Sequence, residues 1–258
     1  SQPDFTRVIY DFSSEETRLQ ILDVLITQDP LQAIEFIATL KPKDYARAEI
    51  VEKILNKAPS ISIAGRRKMY DFVADKINKN NDVAIKELVT KQIIELLNQG
   101  NLETSEVGHY LFEKADFLSI EKKREIVKST LEFLRQPGKV LATVDSFALR
   151  VVTGFFSELQ ETLQKDYIFS LFSMIRDGHS QEVLELAFIN LLTLRPSFSQ
   201  YQKDYEDVAS ALDSWSNGGK ESVVDFLIQL KPDGRITTIE KSFWEKVESH
   251  NATEMNES

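Results

Sequence analysis

The chain contains no cysteine, which excludes a disulfide framework, thiolate catalysis and cysteine-ligated zinc. Turn formers are scarce as well. Nine glycines and seven prolines in 258 residues are too few for the many tight turns of an all-β protein. No stretch approaches the ~18 consecutive apolar residues of a membrane span, so no membrane association is expected. The opening Ser1-Gln2-Pro3-Asp4 has no charged region leading into an apolar run, so it does not read as a secretory signal. An initiator methionine is also missing, and a processed chain or a piece of a longer protein is expected. What remains is ordinary for a globular protein: 42% hydrophobic and 28% charged residues. Acidic side chains outnumber basic ones 41 to 31, for a formal charge of −10 and a pI near 5.0. With no secretory signal and no cysteine, an intracellular location, cytoplasmic or nuclear, is expected.

Apolar spacing is helical almost throughout. Ile85, Leu88, Val89, Ile93, Leu96 and Leu97 recur at three- and four-residue intervals, as do Ile168, Leu171, Phe172 and Ile175. Val127, Leu131 and Leu134 continue the pattern, and so do Ile239, Phe243 and Val247. Ser13 and Glu16 are spaced as a capping box ahead of Leu19, Leu22, Leu25 and Ile26. Phe5 to Phe12 is the one stretch that also fits an extended segment.

Breaks between helices recur. Pro30, Pro59, Gly100, Gly138, Gly178 and Gly218 are separated by 29, 41, 38, 40 and 40 residues. A second set lies about midway, at Pro42, Asn80-Asn81, Asp116 to Ser119, Gln160 to Thr162, Pro196 and Pro232. Two helices fit between consecutive breaks of one set. A helix-pair period near 40 predicts an all-α, right-handed α-solenoid of about six helix pairs; the alternative is an irregular helical bundle with evenly spaced turns. The expected layout is a lead-in over 1–13, a helical repeat domain over 14–248 and a disordered polar tail over 249–258. The tail holds two Asn-x-Ser/Thr triplets, Asn251-Ala252-Thr253 and Asn256-Glu257-Ser258, which read as chance occurrences. The segment 183–194 is apolar on nearly every side, as an inner helix between stacked neighbours is.

One segment within the period resembles a family. The run from Ile175 to Ala187 is similar to the hairpin of a HEAT repeat, in which an acidic turn residue precedes a Val-Arg-x-x-Ala start to the second helix. Asp177, Val183 and Ala187 sit at matching places, with one extra residue in the turn. Leu184 replaces the arginine, so the family's Asp–Arg ladder is missing. The resemblance is one of architecture. It implies stacked helix pairs that present a long curved surface to partners.

No residue pattern points to catalysis. His109, His179 and His250 lie in unrelated contexts, and neither a Gly-x-Ser-x-Gly nor a phosphate-binding glycine loop is present. Glu106 and His109 have the Glu-x-x-His spacing of di-iron bundles, but such sites need two copies, and a helix-surface pair is the plainer reading. No enzyme activity, cofactor or metal is therefore expected. Trp215, beside the Asn217-Gly218-Gly219 turn, and Trp244, beside Phe243, are read as core plugs in preference to interface anchors.

Charge is distributed unevenly. Residues 41–91 hold twelve Lys/Arg against seven Asp/Glu, while the remainder holds 19 against 34. Within the basic stretch, Arg66, Arg67 and Lys68 fall near the start of the helix through Met69, Phe72, Val73 and Ile77. There cations oppose the helix dipole, unless Ser60 or Ser62 caps the helix early. These three are the candidate binding residues. The expected function is a non-catalytic interaction scaffold or regulatory module that binds another protein or an acidic protein segment. The alternative is a HEAT-like nucleic-acid-binding protein or DNA glycosylase. The net charge disfavours it, since a negative field weakens phosphate binding.

Overall fold

Short polar side chains cap several of the helix starts. The computed structural model describes residues 2–41, 47–77, 82–134, 146–177, 181–215 and 217–252, and among these every regular element is helical. The chain divides into two compact units, residues 1–130 and 131–258, the division falling within the helix Ile120–Leu134.

The first unit contains α1 (Gln2–Asp11), α2 (Glu15–Gln28), α3 (Pro30–Ile37), α4 (Ala48–Lys57), α5 (Ile63–Phe72), α6 (Val83–Leu97), α7 (Leu102–Lys114) and the start of α8 (Ile120–Leu134). Asp29 caps α3 by accepting from the Gln32 amide at 3.0 Å, and Pro30 occupies the first helical position, where its missing N–H costs nothing. Asp82 caps α6 through Ala84 N at 2.8 Å, and Asn101 caps α7 through Thr104 N at 2.9 Å. Gly100 enters the α6–α7 turn at φ 71°, a region that L side chains avoid. The helices pack in two rows. α2, α4 and α6 touch in succession, as do α3, α5 and α7, while α2 meets α3, α4 meets α5 and α6 meets α7. Leu22, Ile37, Ile54, Met69, Ile93 and Leu111 fill the space between the rows and are buried.

The second unit contains α9 (Ser146–Gly154), α10 (Glu161–Arg176), α11 (Gln181–Leu194), α12 (Phe198–Ala211), α13 (Asn217–Leu230) and α14 (Thr238–Ala252). The same alternation recurs. α9, α11 and α13 touch in succession, α10 touches α12 and α12 touches α14, and α10–α11 and α13–α14 are in contact. Its core is aromatic. Tyr205 lies 4.8 Å from Phe172, 5.3 Å from Phe198 and 5.9 Å from Trp244 between ring centroids, and Phe243 joins them at 4.9 Å from Phe198. Trp244 is buried, as expected of a core plug, and Trp215 is half-buried. Asn190 of α11 is buried; its Nδ2 donates to Leu186 O at 2.7 Å and its Oδ1 accepts from the Thr153 hydroxyl on α9. The Tyr167 hydroxyl of α10 lies 2.8 Å from the same threonine.

Several sequence expectations are corrected. Phe5 to Asp11 is helical in place of extended, with Phe12 in the turn that follows. Phe5, Val8, Ile9 and Phe12 follow helical spacing, and the Phe12 amide still donates to Val8 O at 3.2 Å. Ser14, one residue on from Ser13, caps α2 by accepting from Thr17 N at 3.3 Å; Ser13 instead donates back to Ile9 O at 2.6 Å. Gly218-Gly219 lies inside the first turn of α13, not between helices; that turn leaves its amides without intrahelical partners, so glycine is tolerated there. α11 is not covered on every side: Ile189 is 60% exposed while the polar Asn190 is buried. α14 runs to Ala252, so residues 249–252 are helical. Pro42, Asn80-Asn81, Pro137-Gly138, Gly178-His179 and residues 253–258 lie outside the described residues.

Candidate binding site on the second turn of α5

Ser62 is the N-cap of α5, accepting from Gly65 N at 3.3 Å. The first helical residue is therefore Ile63, and Arg66, Arg67 and Lys68 fall beyond the first turn, where the macrodipole acts weakly. The early start through Ser62, one of two serines weighed from the sequence, removes the apparent conflict with the dipole. The helix loses its α geometry at Val73, where a π-helical turn runs to Ile77.

The three cations have different surroundings. Arg66 curls back over the preceding turn: its Nε donates to Ile61 O at 2.9 Å and an Nη to Pro59 O at 3.3 Å, and Glu103 of α7 is 3.9 Å away. It ties down the short 3-10 turn Ala58–Ser60 and keeps only 12% of its side chain in solvent. Arg67 crosses to α7, where it pairs with Glu106, and its guanidinium stands 5.7 Å from the Tyr110 ring centre. Tyr110 in turn donates to Asp71 of α5 at 2.6 Å. That hydrogen bond, with desolvation and the Asp71 charge, pushes the phenol up to about 12 despite the opposing Arg67. Lys68 is exposed and makes no ion pair among the described residues.

α5 and α7 are thus joined by a polar seam of Arg67–Glu106 and Asp71–Tyr110, each pair 39 residues apart in sequence. Local spacing around Arg67 carries no sign of these partners. The seam leaves Lys68 exposed and Arg67 partly so.

The other sequence candidates are not gathered into a site. His109 Nε2 is 3.8 Å from Glu113, on the same helix, and no group of three or more His, Asp or Glu suited to a metal ion occurs among the described residues. His250 lies on α14. A cavity of about 40 Å³ between α4 and α6, edged by Glu52, Lys91 and Gln92, holds water-sized occupants and is far smaller than an organic ligand needs. No described helix is long and apolar enough to cross a membrane.

Comparison with known protein families, curated proteins and solved structures finds no match to this chain.

Proposed function

We propose that the chain is a non-catalytic interaction scaffold: a HEAT-like α-solenoid of about six helix pairs that engages an acidic protein segment around Arg67 and Lys68. The observation that supports the repeat reading is the separation at which α5 meets α7. Two side-chain contacts between α5 and α7 span 39 residues each, close to the step between the breaks in the sequence. Two rows of helices touching in alternation within each unit add to it, since stacked hairpins pack in this way. Such a stack offers extended ridges to a peptide or a domain and needs no reactive group. Lys68, exposed and in no ion pair among the described residues, favours an acidic partner over a basic one.

The test isolates proteins bound to the intact chain from cell extract and then titrates each identified partner against wild type and Lys68→Glu. Lys68 is exposed, so the variant should melt as wild type does. Binding should weaken about tenfold on charge reversal, and the association rate should fall steeply with salt. A partner that binds both proteins equally at all ionic strengths would remove Lys68 from the site. Duplex DNA titrated at low salt serves as the contrasting arm. Tight binding lost in the variant, with a linear dependence of log affinity on log salt, would replace this reading by the nucleic-acid alternative.

A further inference from the structure

α1 is mounted with its apolar side outward. Phe5 is 69%, Val8 54%, Ile9 43% and Phe12 89% exposed. At about 100° per residue these four fall within one ~100° stripe, the width that a surface helix normally turns toward its core. Tyr10, on the other side of the helix, is what α1 buries: it meets Phe36 edge-on at 5.7 Å and lies under the Arg18 guanidinium. Arg7 donates to Thr39 O at 3.1 Å and to the Thr39 hydroxyl at 3.0 Å, and Arg18 donates to Tyr10 O at 2.9 Å and Asp11 O at 2.8 Å. The helix is therefore held to its unit by polar bonds and one ring, with its apolar stripe directed away.

The stripe is a palindrome. Read in either direction from the midpoint between Val8 and Ile9, it gives an aliphatic residue, two others, then phenylalanine. An antiparallel copy related by a two-fold axis at that midpoint sets Phe5 against Phe12 and Val8 against Ile9, which is the condition for an isologous interface.

The area is adequate. With a phenylalanine presenting roughly 200 Å² and an aliphatic side chain about half that, the exposed stripe amounts to about 400 Å² per copy, within the range of ~300–600 Å² for patches that are often functional. Two stripes give about 800 Å² of apolar surface. At the ~65% apolar share of homodimer interfaces, this corresponds to a total near 1,200 Å², the lower edge of specific association.

We infer that α1 is a self-association surface, on which a second copy of this chain docks its own α1 antiparallel through Phe5, Val8, Ile9 and Phe12. Sedimentation velocity on the intact chain should show a concentration-dependent monomer–dimer equilibrium. Added salt should strengthen it by screening the repulsion of two chains carrying −10 each. Phe12→Asp should weaken the dimer about thirtyfold or more and leave melting of the monomer unchanged, because Phe12 has little contact with its own unit. The absence of native cysteine makes the register testable. A mixture of Phe5→Cys and Phe12→Cys chains should oxidise to the mixed disulfide in preference to either homodimer. A chain that stays monomeric at every concentration would overturn the inference and assign the stripe to some other occupant. A dimer indifferent to Phe12→Asp, or one in which Phe5→Cys chains link to each other, would overturn it equally.

Discussion

Ala187 has no exposed surface on α11, and Val183, Leu184 and Leu191 of the same helix are buried with it. Ala187→Asp places an unpaired carboxylate in that contact, at a cost of several kcal/mol or forced protonation. A large fall in melting temperature is expected; unchanged melting would mean that this face of α11 is open to water. Tyrosines provide a second prediction at this scale. Burial pushes Tyr70 up to about 12 and raises Tyr167 and Tyr205 as well, while Tyr110 reaches about 12 chiefly through its bond to Asp71. The Glu240 charge adds to the effect of burial at Tyr205. The native state therefore keeps these phenols neutral while the unfolded chain ionises near pH 10. Below about pH 10 both states are protonated and the contribution is intact; as pH climbs from about 10 toward 12 the unfolded chain loses its protons first, and stability falls. Chemical denaturation across that window should show the loss, and an absorbance titration should find these four, and Tyr201, which burial also raises, ionising late among the seven tyrosines. Ordinary titration of all seven would exclude it.

At the scale of helices, α7 approaches α6 closely at Gly108. A Cβ built on Gly108 would stand 3.0 Å from Leu96 Cβ and 3.1 Å from Leu97 Cγ. Leu96 Cβ is fixed to its backbone, so the two helices would have to separate. Gly108→Ala adds up to about 1 kcal/mol of helix propensity, against roughly 1–3 kcal/mol for overpacking. We expect net destabilisation of up to about 2 kcal/mol, read from the shift in denaturation midpoint; a more stable variant would show that the helices can part freely. Helices of this kind are legible in sequence where the caps are unambiguous and the spacing is regular, as in α3 behind Asp29-Pro30 and α6 through Ile85 to Leu97. Legibility fails where neighbours compete for one role. Ser13 and Ser14 can each accept from a first-turn amide, and the choice depends on Ser13 being engaged with Ile9 O. It fails again where burial contradicts polarity, as at Asn190, whose place inside α11 depends on Thr153 in another helix. The candidate cations were legible as a cluster, but their partners were not. Glu106 and Asp71 are ordinary acids until the α5–α7 contact sets one opposite Arg67 and the other opposite Tyr110.

For the whole molecule, the basic stretch read from the sequence is partly neutralised by its own neighbours. Arg47 pairs with Glu15 at 2.6 Å, Lys53 pairs with Asp23 and Arg67 with Glu106. Exposed pairs of this sort contribute little to stability, about 0–1 kcal/mol each, but they subtract from the field that a distant partner feels. Salt should therefore change the association rate with an acidic partner more than it changes the melting temperature. The proposed stack of six pairs has its own test at this scale. A compact globule of 258 residues has a radius of gyration of about 18 Å. Small-angle scattering from the monomeric Phe12→Asp chain should exceed that value for a solenoid, whereas agreement with it would favour the irregular bundle.

Both tryptophans, Trp215 and Trp244, belong to the second unit, and the first has none. Intrinsic indole fluorescence is thus blind to half of the chain, while far-ultraviolet circular dichroism registers the helices of both. The two signals, followed through one denaturant series, therefore measure cooperativity directly. Coincident curves mean that the units unfold as one; a dichroism change that runs ahead of the fluorescence means that the tryptophan-free unit opens first, with no label or substitution needed to see it.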